Sequence, residues 1–190
     1  MAGGLVATPW QTVGPFFHHG LAWAGGGRVA LPGAPGTPLV LDGRILDGDG
    51  AAVPDALVEV WQADTQGRYR GAEPAASDPV DPAFHGFGRV PTDADGRFIL
   101  HTIRPGPVPG PGNVLQAPHL LLGLMMRGLL CRLVTRAYLA GEPLNDADPI
   151  LARVETARRA TLLATPDPDG VTWRWTIRLQ GSDETVFFDV

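Results

Sequence analysis

The 190-residue chain contains no lysine; all 15 of its basic residues are arginine. That absence excludes a Schiff-base lysine and the lysine of a phosphate-binding loop. A single cysteine, Cys131, leaves no intramolecular disulfide and no cysteine-rich zinc site. Tyrosine is almost as scarce, with Tyr69 and Tyr138 alone. The formal net charge of −5 argues against a nucleic-acid footprint. Long apolar runs are missing too. The longest, Leu120 to Val134, is broken by Arg127 and Arg132 and is too short to span a bilayer, so no membrane contact is expected. Met1 to Trp10 carries no basic stretch followed by an apolar one; no secretory signal is expected, and the expected compartment is the cytoplasm.

Glycine and proline, by contrast, are abundant. The 25 glycines and 19 prolines are about double the usual share of roughly 12 %. Beside 44 % apolar residues, they read as turns between short strands, and the length suits one domain. Residues 1–38 read as an extended arm, too apolar for water and expected to pack on a partner chain. Residues 39–190 read as the folded body. Strands are expected at Leu39–Leu46, Ala56–Gln62, Phe98–Ile103, Trp173–Leu179 and Glu184–Asp189, each bounded by Gly, Pro or Asp turns. Leu120–Met126 and Leu129–Tyr138, separated by Arg127-Gly128, predict a hairpin with Arg127 near its tip. One short helix is expected near residues 149–164, with Asp148 as cap and Pro149 at its first position. Seven or eight strands without a β-α-β rhythm predict an all-β fold, a single β-sandwich.

Isolated candidates for chemistry are weak. Cys131 reads as a small core residue of a strand, His18-His19 as surface groups, and His85 as loop. Asp93-Ala94-Asp95-Gly96 has the look of a calcium loop, but no bidentate glutamate follows, so it reads as a turn.

Two longer segments say more. Residues 53–69 read VPDALVEVWQADTQGRY, and residues 88–98 read GRVPTDADGRF, followed at 102–107 by TIRPGP. Together they make the chain resemble the intradiol ring-cleaving dioxygenases, whose sandwich carries P-x-A-x-V-E-[VI]-W-Q-A-[ND]-x-x-G-x-Y and T-D-x-D-G-x-[FY]. The resemblance implies chemistry at a non-haem Fe(III) held by two tyrosines and two histidines; phenolate oxygens suit so hard a cation. It places those four ligands at Tyr69, Val108, His119 and Leu121. Two of the four are side chains without a donor atom. The resemblance therefore implies a vestigial site here, with no metal ligand and no catalytic residue of the chain's own.

The family has a two-subunit branch, and the similarity extends to it through the arm, TPWQTVGPF at 8–16, the segments APH at 117–119 and MRG at 126–128, and QGSDETVFFDV at 180–190. In that branch Fe(III) is held by a homologous β subunit, and the α-type chain closes one wall of the pocket within a larger (αβ)n oligomer. The resemblance then implies that Thr12, Gly14 and Pro15 line that pocket. It also implies that Arg127 meets the carboxylate of a small aromatic acid, 3,4-dihydroxybenzoate; a guanidinium fork suits a carboxylate. Two alternatives stay open at this point: a non-catalytic binding sandwich, and a self-sufficient dioxygenase with rearranged ligands.

Overall fold

Alternating apolar residues between glycine and aspartate turns build strands wherever the chain can bury one face. The computed structural model describes residues 7–71, 80–110, 112 and 114–189. Its principal strands are β1 (Pro38–Leu46), β2 (Leu57–Trp61), β3 (Phe87–Pro91), β4 (Arg97–Ile103), β7 (His119–Met125), β8 (Leu133–Leu139), β9 (Leu163–Pro166) and β10 (Thr172–Arg178). β5 (Val108–Pro109) and β6 (Leu115–Gln116) form a small two-stranded sheet. The eight principal strands make one sheet in the order β3-β2-β7-β8-β9-β10-β1-β4. It folds over on itself, because β9 pairs with β8 on one side and with β10 on the other. The strands at the two ends of the order, β3 and β4, are joined by the Thr92–Gly96 turn, so the sheet nearly closes. The all-β sandwich expected from the sequence is the fold observed.

The core lies between the two halves. Leu39, Leu41, Phe98, Leu100 and Ile177 meet Val58, Val60, Leu120, Leu122 and Leu139 there, all buried. Gly43 stands opposite Phe98 in the β1–β4 register, and the Phe98 ring lies across it. A Cβ at Gly43 would lie well inside van der Waals contact of the Phe98 Cζ. Gly43→Ala is therefore expected to destabilise the fold by about 2 kcal/mol, since an overpacked core shifts only at a cost. An unchanged denaturant midpoint would refute this.

Several local expectations need correction. The 149–164 helix is two 3-10 turns, Leu151–Arg153 and Thr156–Leu162, and the backbone is already extended at the start of β9. Extended Val154 and Glu155 separate the turns. The N-cap of the first is Ile150, not Asp148, although Asp148 Oδ1 accepts from the Ile150 and Leu151 amides, both at 2.8 Å. Residues 184–189 form no strand. They are held singly instead, Thr185 N–H to Arg178 O at 2.9 Å and Phe188 N–H to Val134 O at 2.7 Å. Cys131 is exposed, because β8 begins only at Leu133 and residues 126–132 form the hairpin connection, longer than the expected Arg127-Gly128 break. Within the arm, Phe17–Leu21 forms a one-turn α-helix, α1. Val29 and Ala30 are buried, while residues 7–12 are exposed and residues 1–6 lie outside the described residues. The Asp93 turn is a turn: its Oδ1 accepts from the Asp95 and Arg97 amides, each at 2.9 Å.

Candidate functional site

The β7–β8 hairpin presents Arg127 at its end, with Gly128 at φ +93° completing the turn. The Arg127 side chain is 60 % exposed, and its Nε donates to Asp55 Oδ2 at 2.5 Å. Among the described residues neither terminal nitrogen of Arg127 has a partner. Asp55 thus holds the guanidinium by its inner edge and leaves the outer fork open, the geometry that a carboxylate takes up bidentately. The arm crosses this tip. Gly128 N–H donates to Thr12 Oγ1 at 2.8 Å, and His18 Nε2 lies 2.9 Å from Asp55 O. Gly14 and Pro15 follow on the exposed arm in a turn closed by Phe17 N–H to Gly14 O at 3.2 Å. The structure therefore brings Thr12 and Arg127 together and leaves Gly14 and Pro15 open to a neighbour. Nothing in the sequence singled out Asp55, which stands only as a variable position of the 53–69 segment.

The arm's path is fixed by a charged anchor. Buried Glu59 receives Arg89 on Oε1 at 2.5 Å and Arg132 on Oε2 at 3.1 Å. Arg89 also donates to Leu21 O at 3.1 Å and lies 5.3 Å from the Trp23 ring, tying the end of α1 to β3. Gly123, opposite Glu59, leaves room for the Arg132 side chain to cross the strand.

The four positions where the resemblance places iron ligands form a second cluster, and a guanidinium stands among them. Leu121 faces Arg136 directly across β7 and β8, and His119 faces Tyr138. Val108 pairs with Gln116, whose Oε1 accepts from Arg136 Nη1 at 2.7 Å. Arg136 also reaches the Tyr138 hydroxyl at 3.3 Å, which donates in turn to buried Asp148 at 3.3 Å. The Arg136 charge is felt at Tyr69 and at His119 alike. Burial, and then that charge, pushes the His119 imidazole down to about 4. At Tyr69 burial raises the phenol and the arginine works against it. Burial also raises Tyr138. His119 Nδ1 donates to Ala117 O at 2.7 Å, which fixes its tautomer. Arg136 had no signal beyond an arginine within a strand.

The family profile described as Dioxygenase matches residues 13–181. The chain belongs to the intradiol dioxygenase family. That family depends on Fe(III). Over 202 residues, covering 98 % of this chain and 98 % of the relative, it is 42 % identical to the protocatechuate 3,4-dioxygenase alpha chain of Burkholderia cepacia. The beta chain from the same organism is 37 % identical over 158 residues, covering 79 % of this chain and 67 % of the beta chain. Among solved structures, the dioxygenase domain of a dioxygenase–carbohydrate-binding fusion from Streptomyces sp. SirexAA-E superposes with a TM-score of 0.64 at 26 % identity, covering 94 % of this chain and 99 % of that one. No helix among the described residues is long and apolar enough to cross a membrane.

Proposed function

We propose that this chain is the non-metal α subunit of a protocatechuate 3,4-dioxygenase. With a homologous β subunit it cleaves 3,4-dihydroxybenzoate between its hydroxyls, adding both atoms of O2 to give 3-carboxy-cis,cis-muconate. One observation carries the assignment of roles: the donor set of this chain does not fit a ferric ion. Val108 and Leu121 have no donor atom, and the Arg136 guanidinium brings a fixed positive charge to Tyr69 and His119. Iron therefore belongs to the partner, as near full-length similarity to alpha chains supports.

This chain's own part is to shape and charge one wall of the partner's pocket. Arg127 binds the substrate carboxylate, Asp55 orients Arg127, and Thr12 with Gly14 and Pro15 closes the wall. The arm, residues 1–38, meets the partner through its exposed N-terminal part, which accounts for Trp10 and Phe16 each standing 76 % exposed in the single chain, while Val29 and Ala30 pack into this chain's own body. Residues 39–190 are the body, and the pair assembles further into an (αβ)n oligomer in the cytoplasm.

Co-expression with the partner tests the reading. The purified complex is expected to hold one iron per αβ pair and to consume O2 with 3,4-dihydroxybenzoate. The chain expressed alone is expected to lack the visible ferric–phenolate absorption and to be inactive. Stoichiometric iron in the lone chain would overturn the proposal.

A further inference from the structure

Beside Arg136 lies a cavity of about 480 Å³, within the range that holds small organic ligands, roughly 300–1,000 Å³. Its lining includes the apolar Leu121, Val134 and Phe188 among others. It also includes three cations, Arg136, Arg153 and Arg158. Their partners are few. Arg136 is half-buried, yet among the described residues its guanidinium touches only the neutral Gln116 and Tyr138 side chains and lies 5.9 Å from the Phe188 ring. Arg153 forms no hydrogen bond or ion pair among the described residues. Arg158 is held by Glu184, through its carbonyl at 3.0 Å and its carboxylate at 3.7 Å. Glu155 and Asp189 also line the cavity, but both are exposed and neither forms an ion pair with these arginines.

A half-buried arginine with no acid paired to it among the described residues is an unusual thing to keep beside apolar side chains, because burial of an uncompensated charge is unfavourable. An anion with a flat apolar body answers both surfaces at once: a ring against Phe188 and Leu121, a carboxylate toward the arginines. We infer that this cavity is a second, non-catalytic ligand site that takes a single-ring aromatic carboxylate, with Arg136 and Arg153 as its anion contacts. The inference rests on the reading that this chain holds no iron. In the assembled enzyme it predicts two bound acids per αβ pair, one at the partner's iron and one here.

Equilibrium dialysis of the αβ complex against 4-hydroxybenzoate, which lacks the second hydroxyl, measures that number. Two equivalents per pair are expected for the native complex. Arg153→Ser, on an exposed 3-10 turn, is expected to weaken one of the two roughly tenfold or more, since a charge-assisted contact is lost. Arg136→Met is expected to act in the same direction. A single equivalent in the native complex would overturn the inference, as it would if a segment of the partner filled the cavity. So would two equivalents of unchanged affinity in both variants. Oxygen uptake and the iron content of each subunit report the subunit reading separately, so a complex that is active yet binds one equivalent sinks only the second site.

Discussion

Arg127→Met, introduced into the αβ complex, is expected to raise the KM for 3,4-dihydroxybenzoate about 100-fold while kcat falls far less. The magnitude follows from truncating one partner of a hydrogen-bonded charge pair, about 3 kcal/mol once the pair is closed off from water. In the single chain the Arg127–Asp55 pair is largely solvated, so its own contribution to stability is small and the variant should still fold. On the proposed reading the carboxylate lies away from the bond that breaks and is held equally in the ground state and the transition state. Its loss therefore appears in KM more than in kcat. Arg127→Lys keeps the charge without the planar fork and is expected to recover only part of the loss. Asp55→Asn leaves the fork in place but releases its inner edge, so a smaller rise in KM is expected. Steady-state oxygen uptake with the acid and with unsubstituted catechol separates these effects. Catechol has no carboxylate, and its turnover should be indifferent to residue 127. If the acid's kinetics are unmoved by Arg127→Met, the carboxylate is held elsewhere.

The parts of this molecule that could be read from sequence are those written in period-two patterns and turn residues. β1, β2, β4 and β10 lie within about a residue of their expected bounds at most ends, because alternation and the Asp-Gly turns determine both face and limits. The hairpin at Arg127 is legible for the same reason. The C-terminal segment alternates just as well, yet it pairs with no strand: Thr185 and Phe188 are drawn to separate strands, which only the tertiary fold decides. Cys131 was misplaced because an apolar run continues past the hairpin end, and composition does not say where pairing stops. The site divides in the same way. Thr12 and Arg127 stand out through the family resemblance, while Asp55 and Arg136 do not. Each of those two acts through a partner distant in sequence, Arg127 and Tyr69 respectively, and a single chain of letters carries no record of that proximity. On the proposed reading, Arg136 makes the cluster at Tyr69, Val108, His119 and Leu121 more than a loss of ligands. A charge fixed by Gln116 and Tyr138 now occupies the neighbourhood, and replacing Val108 and Leu121 with donors would not remove it.

Burial, with the same guanidinium as a second cause, makes His119 a source of acid sensitivity in the fold. This imidazole is buried, donates to Ala117 O, and is pushed down to about 4, first by burial and then by Arg136. In the unfolded chain it titrates near its ordinary value of 6.5. Above pH 6.5 both states carry it neutral, and its contribution to stability is fully present. As the pH falls from 6.5 toward 4 the unfolded chain takes up the proton and the folded chain does not, so stability is lost across that window; below about 4 the loss levels off. The total is about 3 kcal/mol for a shift of this size. His119→Gln is expected to impose a constant offset from the removed contacts while flattening the thermal midpoint between pH 6.5 and 4. Arg136→Met is expected to raise the imidazole toward its ordinary value and so narrow the window from its acid side. Parallel midpoint curves for the native protein and His119→Gln over that range would show that the imidazole takes its proton without unfolding pressure, and that burial does not hold it neutral.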